Sequence, residues 1–251
     1  MTAVLSNGAL PTPVATPPPT GTAKSLLKTR KQPAPPYLPN RHDYRPTHRD
    51  LFQIEFGPEG EEFGSCLRAE KAYKQGDVLC AIRGTLPGTK AYSSVQVLPD
   101  PPLPSSSRAA ESRPASFTDA ATPGADSTAP RRHIELNSDL LYVNHSCDPN
   151  VVFDVNGREA EEGEEDASGQ WAGRWKVRAE KDIAKGEILT FAYFSTEWDM
   201  DQPFHCLCKT ARCLGTIQGA KHIDQGVLDG YFINDHILAM KNLEREQAQQ
   251  E

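Results

Sequence analysis

Eight residues near the C-terminal end, Cys206-Leu-Cys-Lys-Thr-Ala-Arg-Cys213, hold three of the chain's six cysteines. Three thiols this close in a polar segment, flanked by His205 and Lys209, are poorly explained as small buried hydrophobes. Zinc at structural sites prefers soft sulfur donors in a closed tetrahedral shell, so the spacing predicts a metal centre that is one ligand short. The fourth donor is to be sought in His205, Cys66, Cys80 or Cys147. Any of these cysteines would tie the segment to a distant part of the fold.

Such a centre needs reduced thiols. No apolar run reaches membrane-spanning length, and the first twenty residues lack the charged start and apolar middle of a secretory signal. The chain is therefore expected to be soluble and intracellular, nuclear or cytoplasmic, where disulfides are rare. No membrane partner is expected. The formal net charge of −7 disfavours direct nucleic-acid binding, whose sequence-independent affinity comes from lysine and arginine neutralising phosphates. It suits a basic protein partner instead.

At 251 residues and 37% hydrophobic content, the chain has room for one core and its tails. Ten of the 21 prolines fall in the first fifty residues, and residues 1–49 read as a disordered, basic arm with no hydrophobic period. From Leu51 onward come short β-like runs: 52–56, 78–82, 95–98, 133–136, 151–153, 175–178 and 188–193. Gly76 and Gly186 sit in turns ahead of two of them, where a tight reversal needs a positive φ. Residues 99–130, rich in Pro, Ser and Ala, and residues 156–170, rich in Glu and Asp, read as mobile insertions in surface loops. Asp235 is placed to cap a C-terminal helix carrying Ile237, Met240 and Leu243 on one stripe.

The stretch Leu141-Tyr-Val-Asn-His-Ser-Cys-Asp-Pro-Asn150 runs from an apolar strand into an amide, an imidazole and a thiol. Taken in order with Gly186-Glu-Ile-Leu-Thr-Phe-Ala-Tyr193 and the C-x-C-x4-C of residues 206–213, it resembles the signature motifs of the SET-domain protein-lysine methyltransferases with a post-SET zinc segment. The resemblance covers about residues 50–220. It implies a mostly β fold of small curved sheets with a knot-like C-terminal segment and a structural zinc, to which the residue pattern adds the C-terminal helix. The domain division it implies is a SET domain over 50–200 and a zinc segment over 201–220, and the helix pattern places a helical extension over 221–251.

The same resemblance implies the site residue by residue. Cys147 joins Cys206, Cys208 and Cys213 on one zinc. S-adenosylmethionine lies against Phe63, Gly64, Ser65, Cys66, Asn144, His145 and Tyr193. Tyr193 is the catalytic tyrosine of the methyl-transfer channel, and Phe191 shapes the lysine pocket and the number of methyl groups that fit. One position departs from the pattern: where the family has a second glycine after Gly64, this chain has Cys66, whose side chain is expected to crowd the cofactor. The expected function is methyl transfer from S-adenosylmethionine to a lysine ε-amine of a protein, a basic histone tail being one candidate acceptor, by a monomeric enzyme. The alternative is a non-catalytic SET and zinc module used for protein interaction.

Overall fold

The computed structural model describes residues 44–58, 64–100, 131–161 and 171–250. Nearly all of the proline-rich arm, Phe63 and most of both expected insertions lie outside the described residues. Among the described residues the chain forms twelve short strands. In order they are β1 (Phe52–Glu55), β2 (Cys66–Ala69), β3 (Val78–Ala81), β4 (Leu86–Gly88), β5 (Ser94–Gln96) and β6 (His133–Glu135), then β7 (Asn144–His145), β8 (Val151–Asp154), β9 (Lys176–Ala179), β10 (Thr190–Phe191), β11 (Phe204–His205) and β12 (Thr216–Ile217). A short helix α1 (Gln225–Leu228) and a longer one, α2 (Asp235–Ala248), follow.

The strands make five small sheets rather than one large one, with β3-β9-β8 and β4-β6-β5 as the three-stranded members. Mostly β architecture is thus as the sequence implies. β5 and β6 pair directly, Val95 opposite Ile134, as the expected loop between them requires. The inward side chains Leu67, Ile134, Leu140, Val151, Phe153, Val177 and Leu189 are almost wholly buried and form the main core. Their branched and aromatic character suits pleated strands buried on one face.

Both predicted glycine turns form, with φ of +92° at Gly76 and +84° at Gly186. Each is closed by a carboxylate that accepts the N–H of the turn's first residue: Asp77 from Lys74 at 2.7 Å and Glu187 from Ala184 at 2.9 Å. The strands before these turns are joined through Tyr73 and Ile183, whose backbones exchange two hydrogen bonds of 2.9 Å.

Two local expectations change. The strand expected over 188–193 is continuous in sequence but changes partner: Ile188 bridges Arg68 of β2 in antiparallel sense, while Thr190 and Phe191 run parallel to Asn144 and His145. Tyr193 then opens a turn of 3-10 helix, so only β10 remains as a regular strand. In α2, Asp235 is the first helical residue and Asn234 precedes it. Ile237 and Met240 are buried but Leu243 is 44% exposed, because six residues at about 100° each carry it a third of a turn off the stripe. The helix is held by Asn234, whose amide donates to the carbonyls of Phe153 and Ser195, both at 2.9 Å, and accepts the N–H of Val155 at 2.8 Å.

Candidate active site and metal centre

The parallel pairing of β7 with β10 sets the site, because it lays Asn144-His145 beside Thr190-Phe191 and brings Tyr193 over the imidazole. Asn150 locks the pair. Its amide donates to the Ile188 carbonyl at 2.9 Å, and its side-chain oxygen accepts the Thr190 N–H at 2.9 Å. The polar residues that close the motif therefore replace ladder hydrogen bonds that two-residue strands cannot supply.

Asn144 donates from Nδ2 to the carbonyl of Ser65 at 2.8 Å, joining the motif to the loop that enters β2. On that loop Ser65 Oγ accepts the N–H of Gly57 at 3.1 Å. A Cβ on Gly57 would come within 2.6 Å of the Gly64 backbone, so these two segments lie against each other. Cys66 is the first residue of β2, opposite Glu55, and is 9% exposed. Strand alternation puts it on the face away from the buried Leu67, and desolvation pushes its thiol up.

His145 is placed between two elements. Its Nδ1 accepts the N–H of Tyr193 at 3.2 Å, which requires the proton of the neutral ring to sit on Nε2. That nitrogen lies 3.3 Å from Cys147 Sγ. Burial holds the imidazole down at about 4, so it stays neutral at physiological pH.

The Tyr193 hydroxyl donates to the carbonyl of Val143 at 3.2 Å, and desolvation raises its pKa well above the ordinary value. Its ring packs 4.8 Å from that of Phe191, which in turn stacks on Phe153 at 4.1 Å and 6°. Phe191 and Tyr193 share the wall of a pocket of about 50 Å³ with Val143, Thr196, Glu197 and Met200. The aromatic pair named from the sequence is thus brought to one cavity.

The four sulfurs of Cys147, Cys206, Cys208 and Cys213 lie within 4.8 Å of one another. Cys147 and Cys206 are 3.8 Å apart, the separation of about 3.8 Å that a tetrahedral zinc with Zn–S near 2.3 Å imposes. Backbone N–H groups already point at two sulfurs, Leu214 at Cys147 (3.3 Å) and Cys208 at Cys206 (3.4 Å), as thiolates need. Burial by itself pushes the thiols of Cys147 and Cys206 up; a divalent cation is the charge that would reverse this. The donor set fits a structural zinc. Of the other candidates for the fourth ligand, Cys80 packs in the hydrophobic core, Cys66 stands opposite Glu55 and His205 is exposed.

Sequence reasoning missed Glu197, which is 8% exposed although it lies in the polar stretch Ser195-Thr-Glu-Trp198. It also missed Tyr231, whose hydroxyl donates to the Cys147 carbonyl at 2.8 Å beneath the guanidinium of Arg212. Neither carries a local signal, because burial of both depends on chain segments far away.

The SET domain family matches residues 64–194, more than half of the chain. The chain belongs to the SET-domain family. It is 35% identical over 161 residues to methyltransferase flvH of Aspergillus flavus, covering 64% of this chain and 79% of that one. It is also 35% identical over 78 residues to an H3 lysine-4 specific histone-lysine N-methyltransferase of Emericella nidulans, and 30% identical over 95 residues to an H3 lysine-36 specific one of Cryptococcus neoformans. These matches cover 30% and 37% of this chain but only 5% and 10% of those much longer relatives. No described helix is long and apolar enough to cross a membrane.

Proposed function

We propose that the protein is an S-adenosylmethionine-dependent protein-lysine N-methyltransferase. The observation that carries this reading is the convergence of Tyr193 and Phe191 on one pocket, directly across β10-β7 from Asn144, His145 and the Gly64-Ser65 backbone. In this reading Gly64, Ser65, Cys66, Asn144, His145 and Tyr193 hold the cofactor, and the zinc is structural. Residues 50–200 form the catalytic domain, 201–220 the zinc segment and 221–251 an extension. The relatives named for histone lysines and the acidic charge of the chain support a basic protein acceptor, and the thiolate centre supports an intracellular setting.

When bound, S-adenosylmethionine supplies a sulfonium methyl group open to in-line displacement. The chain's own residues align and prepare the amine. An ordinary lysine has a pKa near 10.4 and must lose its proton before it can attack. The apolar walls of Val143, Phe191 and Met200 disfavour the charged form. The Tyr193 hydroxyl, its proton engaged on Val143, keeps oxygen lone pairs to accept an amine N–H and orient the nitrogen.

Radiolabel transfer from labelled S-adenosylmethionine onto histones and onto a proteome extract tests the reading. Label on a protein lysine supports it, and an extract with no labelled protein sinks it. Cys66 favours the second reading, a non-catalytic SET and zinc module, because a side chain stands where the family keeps glycine. Cys66→Gly should leave calorimetric affinity for S-adenosylmethionine unchanged or improve it, up to about tenfold if one buried contact is relieved. A clear loss would show that the thiol makes a contact of its own, and failure of both proteins to bind would favour the interaction module.

A further inference from the structure

We propose that Glu197 is the amine-binding carboxylate of the acceptor pocket and takes the proton of the incoming ammonium. The proposal rests on the reading of that pocket as an amine site. It draws on three observations. Glu197 is almost wholly buried, yet stands on the wall of the same cavity as Phe191 and Tyr193. One oxygen, Oε1, accepts the Gln96 N–H at 2.8 Å and lies 3.3 Å from the Thr196 hydroxyl, whose single proton is shared with the Tyr193 carbonyl at 3.1 Å, and no described residue bonds Oε2. Gln96 is itself rigid: its side-chain oxygen accepts the Trp198 N–H at 3.0 Å and its amide donates to the Leu98 carbonyl at 3.0 Å.

A buried carboxylate without a paired cation is costly, and a carboxyl perturbed by burial on the wall of a cleft is a candidate functional group. No salt bridge reaches Glu197 among the described residues; an ammonium entering the cavity is the partner its free oxygen fits. Burial also pushes this carboxyl up to about 7. A glutamate at its ordinary value near 4.3 is far too weak a base for an amine near 10.4; burial narrows that gap from the carboxyl side, and the apolar walls narrow it from the amine side.

The step balances. Glu197 accepts one proton from the acceptor ammonium, leaving a neutral amine with its lone pair. The N–CH3 bond forms as the S–CH3 bond of the sulfonium donor breaks, and that electron pair stays on sulfur. The secondary ammonium and the protonated Glu197 then return their protons to solvent. The groups facing Glu197 from the surrounding elements are Lys90, which favours its charged form, and Asp100, which opposes it. Near them lie His133 of β6, whose charged form burial disfavours, and His236 of α2, whose Nε2 bonds the Thr196 carbonyl at 2.8 Å.

The experiment compares the full chain with Glu197→Gln, which keeps an oxygen for Gln96 but no charge. The first probe is n-butylammonium, the lysine side chain without its backbone, titrated by calorimetry at pH 8. Binding should weaken at least tenfold in the variant; equal binding, or none to the unmodified protein, overturns the proposal. The second is the pH profile of kcat/KM on a methylated acceptor. The acid limb near pH 7 should vanish in Glu197→Gln, and an unchanged profile overturns the base role.

A merely structural carboxylate predicts the opposite stability effect. The unfolded group titrates near 4.3 and the folded one near 7, so stability falls as pH rises between them, and the variant should melt no lower than the parent at pH 8. If the variant does not fold, the carboxyl carbon of Glu197 in the labelled parent must shift on adding n-butylammonium, or the proposal fails. Amine binding through Glu197 without methyl transfer to any protein would leave this assignment standing and remove the methyltransferase reading. Methyl transfer undisturbed by Glu197→Gln would do the reverse.

Discussion

Tyr193→Phe should lower turnover about a hundredfold while leaving S-adenosylmethionine affinity intact, a loss of about 2.7 kcal/mol of transition-state stabilisation at 1.36 kcal/mol per tenfold. The phenol is raised well above its ordinary pKa by burial and keeps its proton, which it donates to the Val143 carbonyl. It can therefore orient an amine but cannot serve as the base. The variant keeps the ring, with its contacts to Phe191 at 4.8 Å and His145 at 5.2 Å, so only the hydroxyl is tested. Undiminished turnover would place the reaction elsewhere. Beside it, Phe191 has no hydroxyl to hold a water against the amine, and the unmodified enzyme should give dimethyl or trimethyl product. Phe191→Tyr should shift that product toward monomethyl by mass spectrometry; monomethyl product alone from the unmodified enzyme would remove Phe191 from the role.

The parts of this site that were legible in the sequence are those whose chemistry is packed into short segments. Asn144, His145 and Cys147 sit within four residues, and the remaining cysteines within eight, so their donor types and spacing announce a site before any fold is known. The glycine turns at Gly76 and Gly186 were legible for the same reason, since a positive φ is a local demand. Long-range pairing was not. The switch of residues 188–191 from Arg68 to the Asn144-His145 pair leaves no trace in a continuous β-like run of Ile, Leu, Thr and Phe. Glu197 and Asn234 stand out in no motif or period of the sequence, yet one lies on a cavity wall and the other bonds Phe153, Val155 and Ser195 through its amide. Polar groups buried by tertiary contact satisfy hydrogen bonds that only the assembled chain creates.

Chelation of zinc should release the C-terminal segment before the β core and should disturb Tyr193 as well. Elemental analysis is expected to give about one zinc per chain, held by Cys147, Cys206, Cys208 and Cys213. Residues 204–217 are folded around the four sulfurs: β11 and β12 pair over only two residues each, Cys213 and Leu207 are exposed, and the buried Ile217 clusters with Cys147 and Cys206 themselves. For such a segment the metal-binding energy is the folding energy. Hydrogen exchange after chelation should therefore lose protection over 204–217 while Val151–Asp154 and Lys176–Ala179 remain protected. The disturbance at Tyr193 follows from His145, whose Nε2 proton faces Cys147 Sγ and whose Nδ1 accepts the Tyr193 N–H. A thiolate bound to zinc would fix the ring, and the ring would fix the start of the tyrosine turn. Cys147→Ser should weaken zinc by more than the roughly 10- to 100-fold that losing an outer-sphere partner costs, and should also raise exchange at the Tyr193 amide. Full zinc occupancy in Cys147→Ser would take Cys147 out of the site. Zinc loss with an unchanged Tyr193 amide would leave the site intact but cut its connection to the tyrosine.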